Sequence, residues 1–213
     1  GIQIFGDTTG GEFIDGEIGA GTIAILLVDM DPSNFMILLG DYYDKDSESV
    51  AMEMAGKAKE QFKNPSFIIS SSFELVNSNV IGDPIVKAIE VVCGANTIIW
   101  GGNAGDDFQF KETFVFTNRA STKRGILLLV LNADKITAKG LSASGQKPVG
   151  TEKTITKTRG DWVYEIDHQP AAEMVLKYLG LNLTQEEAET FNPTDANVVL
   201  SVSRDKGDPV LRG

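Results

Sequence analysis

Two glycine-rich stretches carry the side chains best suited to binding chemistry: Gly6-Asp7-Thr8-Thr9-Gly10-Gly11-Glu12 and Gly101-Gly102-Asn103-Ala104-Gly105-Asp106-Asp107. Each follows an apolar run of β type, residues 2–5 before the first and residues 97–100 before the second. Glycine permits φ > 0 and lets one backbone approach another group closely. Threonine, asparagine and aspartate beside it add donors and acceptors and tolerate turn conformations. Paired turns at strand ends are where layered folds hold small ligands. Asp7, Thr8, Thr9, Gly10, Gly101, Gly102, Asn103 and Asp106 are therefore the candidate ligand-binding residues. Without a ligand, the same side chains would cap the turns and satisfy backbone groups. Aspartates in both stretches favour a ligand with a cationic or hydrogen-bond-donating group, with Asp7 and Asp106 as its acidic contacts. A phosphate cradle fits poorly, because no P-loop lysine is present and Glu12 would repel the anion.

Other chemistry has few candidates. His168 is the only histidine and lies in Asp167-His168-Gln169-Pro170, just before a predicted helix. A surface or capping role is the simpler reading. One axial histidine can hold a haem, but Glu165, Asp167 and Gln169 make polar surroundings, so the expectation is a protein that takes up no haem and binds no metal. A Ser/His/Asp triad would have to use His168, and no G-x-S-x-G elbow is present. The enzyme alternative is a hydrolase-like activity using Thr8 or Thr9. Cys93 is the only cysteine, which excludes an internal disulfide and a multi-cysteine zinc site. On a helix face it reads as a small hydrophobe rather than a reactive thiol.

These residues need a core to position them, and 213 residues with 42% hydrophobic content can supply one. The 19 basic against 30 acidic residues give a net charge of −11. That balance excludes the basic footprint of a nucleic-acid binder and argues against direct membrane binding. No apolar stretch approaches the length of a membrane span.

Three helices carry start and stop signals. Ser47 or Asp46 can cap one with Val50, Met54, Ala58 and Phe62 on a single stripe, ending before Asn64-Pro65. Asp83-Pro84 opens a second, with Ile85, Ala88, Ile89 and Val92 facing inward and Gly94 closing it. Pro170 starts a third, with Ala171, Val175 and Leu179 on one side and Gly180 after it. Residues 184–187 have the form of a capping box and predict a short fourth. Strands are predicted at residues 22–28 and 35–39, joined through Asp31-Pro32-Ser33-Asn34, and at 67–69 and 97–100. A strand meander follows at 113–117, 125–131, 136–142, 151–158 and 162–166, with 151–158 polar enough for an edge. Residues 197–212 have the form of one hairpin. The predicted architecture is α+β, a large, mainly antiparallel or mixed sheet system with helices inserted in its first half.

In this order the motifs resemble the FIST domain, a sensory module of prokaryotic and some eukaryotic signalling proteins. The first glycine-rich stretch is similar to the family's G-C-S-T-A-G-E and the second to its G-G-x-A-G-D. Lys147-Pro148-Val149-Gly150, Thr154-Ile155-Thr156, Glu165-Ile166-Asp167 leading into Pro170-Ala171, and Tyr178-Leu179-Gly180 continue the pattern. Asp7 stands where the family has cysteine and Gly10 where it has alanine, so a ligand contact through a thiol is lost. The resemblance implies a FIST N-terminal-type domain over residues 1–195, without the family's opening strand and helix, and the start of a C-terminal-type part over 196–213. The chain is accordingly read as part of a longer protein. The implied role is a cytoplasmic input domain that senses amino acids or similar metabolites and is coupled to a kinase, a chemoreceptor or a cyclic-dinucleotide enzyme. Some relatives are haem proteins that sense nitric oxide, which makes a haem sensor the alternative that the resemblance carries.

Overall fold

The computed structural model describes residues 1–72, 82–107, 109, 111–141, 147, 150–159, 162–181, 183, 187, 200–203 and 210–212. The protein is α+β, and its chain divides into two compact units, Gly1–Ser142 and Ala143–Gly213. In the first unit the elements are β1 (Gly6–Asp7), β2 (Glu12–Ile14), β3 (Glu17–Gly19), β4 (Phe35–Asp41), α1 (Ser47–Gln61), β5 (Pro65–Ser71), α2 (Gly82–Cys93), β6 (Ile99–Asn103), β7 (Val115–Phe116), β8 (Ser121–Thr122) and β9 (Gly125–Asn132).

The main sheet has the order β4-β9-β5-β6. β5 and β6 are parallel, and β9 runs antiparallel to both of its neighbours. In register, Leu128 of β9 pairs with Leu38 on one side and Ile69 on the other. β9 reads Gly-Ile-Leu-Leu-Leu-Val-Leu-Asn, an unbroken apolar run suited to a strand covered on both faces. Successive side chains point to opposite faces. Ile126, Leu128 and Val130 join Phe67 and the inner stripes of α1 and α2 in the larger core cluster. Leu127 joins Val115 and Ala104 in a second cluster, on which Phe5, Ile37 and Leu39 pack.

Both helices form where their signals place them. The Asp46 carboxylate caps α1 by accepting the Ser49 N–H at 2.7 Å and the Ser49 hydroxyl at 2.8 Å. Those bonds hold its carboxyl below the ordinary range, the backbone N–H contributing most. Val50, Met54, Ala58 and Phe62 are all buried, as the stripe requires. α2 buries Ile85, Ala88 and Ile89 and is closed by Gly94 at φ +105. Cys93 is half-buried, and desolvation pushes its thiol up, as expected of a thiol that packs rather than reacts.

Several predicted strands are corrected. Residues 22–28 form no strand, and Ile23, Leu26 and Leu27 are 86%, 87% and 81% exposed. The intervening segment does turn, with Asp31 accepting the Ser33 N–H at 2.9 Å, but it does not fold 22–28 back onto β4. A strand preference is realised only when a neighbour completes the ladder and covers the side chains. Residues 2–5 are likewise unpaired, and strand pairing begins at Gly6 opposite Phe116. Residues 136–141 carry no strand. The predicted meander is also broken. β7 pairs with β1 and β8, whereas β9 crosses into the middle of the main sheet.

The second unit contains β10 (Ile155–Arg159), β11 (Trp162–Ile166), β12 (Gln169–Pro170), α3 (Ala171–Leu179), β13 (Leu200–Val202) and β14 (Val210–Arg212). β10 is an edge strand of the sheet β10-β11-β12, and β13 and β14 pair as the predicted hairpin. α3 packs Ala171 and Met174 on Ile166, with Met174 rather than Val175 as its most buried central residue. Gly180, at φ +69, closes it with left-handed geometry that a side chain would disfavour. Of the predicted fourth helix only Glu187 is among the described residues, and it is helical. The expected boundary at 195/196 lies outside them.

Phe67 is fully buried in β5 between the helices and β9. Phe67→Ala is expected to cost about 3–5 kcal/mol. The neighbouring Ser66 hydroxyl is buried with no hydrogen-bond partner among the described residues. Ser66→Ala should therefore leave stability unchanged or raise it by about 1 kcal/mol. Denaturant unfolding of the two variants checks both expectations.

Candidate functional site

The two glycine-rich stretches meet along a backbone seam. Thr8 continues the β1–β7 pairing, donating its N–H to Phe114 O at 3.0 Å while its hydroxyl oxygen accepts the Phe114 N–H at 2.9 Å. From the other stretch, Gly105 N–H donates to Thr8 O at 2.8 Å and Asp107 N–H to Thr9 O at 3.3 Å. A Cβ on Gly105 would lie 2.5 Å from Gly10 N and 2.8 Å from Thr9 C, so only glycine allows this approach. Gly101, at φ +144, is similarly constrained, since a Cβ there would sit 1.9 Å from Ile69 O.

Polar side chains gather where the parallel strands β5 and β6 end. Ser70 and Ser71 close β5 and are nearly fully buried. The Ser70 hydroxyl donates to the Asp7 carboxylate, tying the first stretch to the main sheet. The Ser71 hydroxyl donates to Asn103 Oδ1 at 2.7 Å, and Ala104 N–H donates to Ser71 O at 2.8 Å, tying in the second. Ser70 pairs with Leu127 and Ser71 with Ile126, so the two hydroxyls lie on opposite faces of the sheet, Asp7 with Ser70 on the Leu127 face and Asn103 with Ser71 on the Ile126 face. Asp7 retains a second carboxylate oxygen beyond its bond, and Asn103 retains its amide N–H groups.

Glu12 belongs to the same neighbourhood. Its carboxylate accepts the Thr22 hydroxyl at 2.6 Å and the Thr9 hydroxyl. These bonds, Thr22 first and Thr9 second, hold its carboxyl below the ordinary glutamate range.

The structure brings Thr8, Thr9 and Gly10 beside Gly105 and Asp107, and ties Asp7 to Ser70 and Asn103 to Ser71. Gly101, Gly102 and Asn103 prove to be part of β6 rather than of a turn, and the chain leaves the strand only at Ala104. Thr8 and Asp106 serve backbone groups. The Asp106 carboxylate accepts the N–H of Lys111 at 2.6 Å and of Glu112 at 3.2 Å. Ser70 and Ser71 were not among the predicted site residues. Their sequence signal is the run Ser70-Ser71-Ser72 directly after the apolar Phe67-Ile68-Ile69. Two cavities, of ≈ 320 and ≈ 280 Å³, are lined by other residues.

His168 sits in the second unit on the two-residue turn joining β11 to β12. Asp167 and His168 have φ of +49 and +60, the left-handed pair of a type I′ hairpin. The residue is exposed, and its N–H donates to Thr156 Oγ1 at 2.9 Å. An exposed polar turn does not fit the apolar slot that a porphyrin requires. Among the described residues no group of three or more His, Cys, Asp or Glu could hold a metal ion, and no helix is long and apolar enough to cross a membrane.

Against known families, the FIST N domain model matches residues 1–169 of the 213. No curated protein and no solved structure matches the chain. The family match takes in both glycine-rich stretches and most of the length, so this chain belongs to the FIST family, whose domain is a sensory module of signalling proteins.

The seam makes two expectations. Gly105→Ala forces a Cβ against backbone and should lose about 1–3 kcal/mol, as overpacking does. Gly102→Ala meets nothing within 4 Å and should leave the melting temperature close to that of the parent. Glu12 supplies the second. A carboxyl whose folded pKa lies below its unfolded one stabilises the fold above the unfolded pKa, and that stability is lost as pH falls through the folded value. Thr22→Val should move the Glu12 carboxyl up toward the ordinary range in an NMR titration and shrink the stability lost on acidification.

Proposed function

We propose that this FIST domain is a small-molecule-binding input module of an intracellular signal-transduction protein, with its ligand at the seam of the two glycine-rich stretches. Asp7, Thr8, Thr9, Gly10, Gly101, Gly102, Asn103 and Asp106 would frame it at the strand ends, Asp7 with Ser70 on one face of the sheet and Asn103 with Ser71 on the other. The observation that carries this reading is the direct Gly105–Thr8 backbone bond, which unites the two stretches at the ends of β5 and β6. Ligands of sheet-based α/β folds bind beyond the carboxyl ends of parallel strands.

The chemistry favours a ligand that donates. Asp7 offers a carboxylate oxygen, and an ammonium or other donor placed there makes a charge-assisted bond about twice as strong as a neutral one. Asp106 commits one carboxylate oxygen to two backbone N–H groups and so shapes the second stretch. Amino acids and similar amine-bearing metabolites meet these requirements. The bound state would then be read by an output partner such as a kinase, a chemoreceptor or a cyclic-dinucleotide enzyme.

Thermal melting against a panel of amino acids and simple amines tests the reading, because a ligand that binds only the native state raises the melting temperature. At least one compound should raise it, and Asp7→Asn should weaken that compound's binding by about tenfold. A flat response across the panel would replace the metabolite sensor with a protein-interaction module.

A further inference from the structure

The second unit holds a cavity of its own. Its volume is ≈ 320 Å³, and Lys153, Asp167, Gln169, Met174, Lys177 and Tyr178 line it. Three of these come from one face of α3, since positions 174, 177 and 178 are spaced i, i+3 and i+4. Asp167 and Gln169 come from the β11–β12 turn, and Lys153 from the approach to β10.

The wall formed by the turn is fixed by its own bonds. Asp167 N–H donates to Thr154 O at 2.8 Å, and Thr154 N–H donates back to Asp167 Oδ1 at 2.8 Å. Tyr178 packs on Gly150, where a Cβ would lie 2.6 Å from the ring. Met174 supplies a buried apolar floor.

Charge in the cavity runs against that of the chain. Lys153 Nζ pairs with Asp167 Oδ2 at 2.9 Å, so these two cancel. Lys177 makes no hydrogen bond or ion pair among the described residues, although Glu173 lies one turn before it on α3. The described lining residues therefore carry one net positive charge, in a protein of net charge −11. Gln169 and the Tyr178 hydroxyl add neutral donors.

We infer that this cavity binds a small organic monocarboxylate, its carboxylate on Lys177 and its apolar part against Met174 and the Tyr178 ring. Lys153 reaches the same carboxylate from the opposite wall while keeping Asp167. Phosphate is disfavoured. The N–H groups of Thr154, Asp167 and His168 are already spent within the turn, leaving no amide nest there for a dianion. A zwitterionic amino acid is disfavoured too, because Asp167 is already neutralised by Lys153 and the excess positive charge of the described lining opposes an ammonium. The site is thus distinct in chemistry from the seam around Asp7.

Titration of the full chain with benzoate, benzamide and inorganic phosphate, followed by amide NMR, tests the assignment. Benzoate should give saturable shifts at Met174, Lys177 and Tyr178, while benzamide and phosphate give none there. Lys177→Gln should weaken benzoate by at least about tenfold with no change in melting temperature, and Lys177→Arg should retain it. Asp7→Asn should leave benzoate binding unchanged, which separates this site from the proposed sensory seam. Equal binding of benzamide, tighter binding of phosphate, an unaffected Lys177→Gln variant or no saturable shift with benzoate would each overturn the assignment.

Discussion

The double-sided pairing of β9 is the constraint on which the first unit rests. β9 completes the hydrogen-bond ladder of β4 and of β5 at once, and its side chains feed both core clusters. A strand in that position cannot carry a polar face, because neither face meets water. Once β9 occupies it, β5 is fixed as its neighbour and β6 can be added only on the far side of β5. The parallel β5–β6 pair that ends at the polar cluster follows from that order.

The seam inherits its geometry from this sheet. Ser70 and Ser71 are held at the end of a nearly fully buried strand, so their hydroxyls point from fixed positions toward Asp7 and Asn103. The Asp7 carboxylate is a strong acceptor, which suits it to the bond from Ser70. The close contact between Gly105 and Gly10 then brings the two stretches together through their backbones, leaving side chains to differ in role. Thr8 and Asp106 serve structure, while Asp7 and Asn103 keep groups able to bind.

A different device organises the second unit. The left-handed pair Asp167-His168 makes the turn between β11 and β12, and its side-chain and backbone bonds lock it to Thr154 just before β10 and to Thr156 within it. The Thr154 N–H first, and then Lys153, hold the Asp167 carboxyl below the ordinary aspartate range. One carboxylate thus serves as turn anchor and as counter-ion to a cavity lysine, and a neighbouring lysine on α3 is left without a described partner.

What the sequence by itself determined are the features set by local chemistry. The caps at Asp46 and Gly180, the buried stripes of α1 and α2, and the apolar runs of β4 and β9 depend on residues near one another in the chain. The ordered motifs also carried the family. Tertiary structure alone decided which strands pair. Residues 22–28 are as apolar as a strand yet lie exposed, since no neighbour among the described residues completes their ladder. β9 leaves the local meander because pairing both β4 and β5 buries more of it than any hairpin could. The Ser70–Asp7 and Ser71–Asn103 bonds span 63 and 32 residues. Such contacts exist only after the sheet has assembled, and neither periodicity nor turn chemistry encodes them.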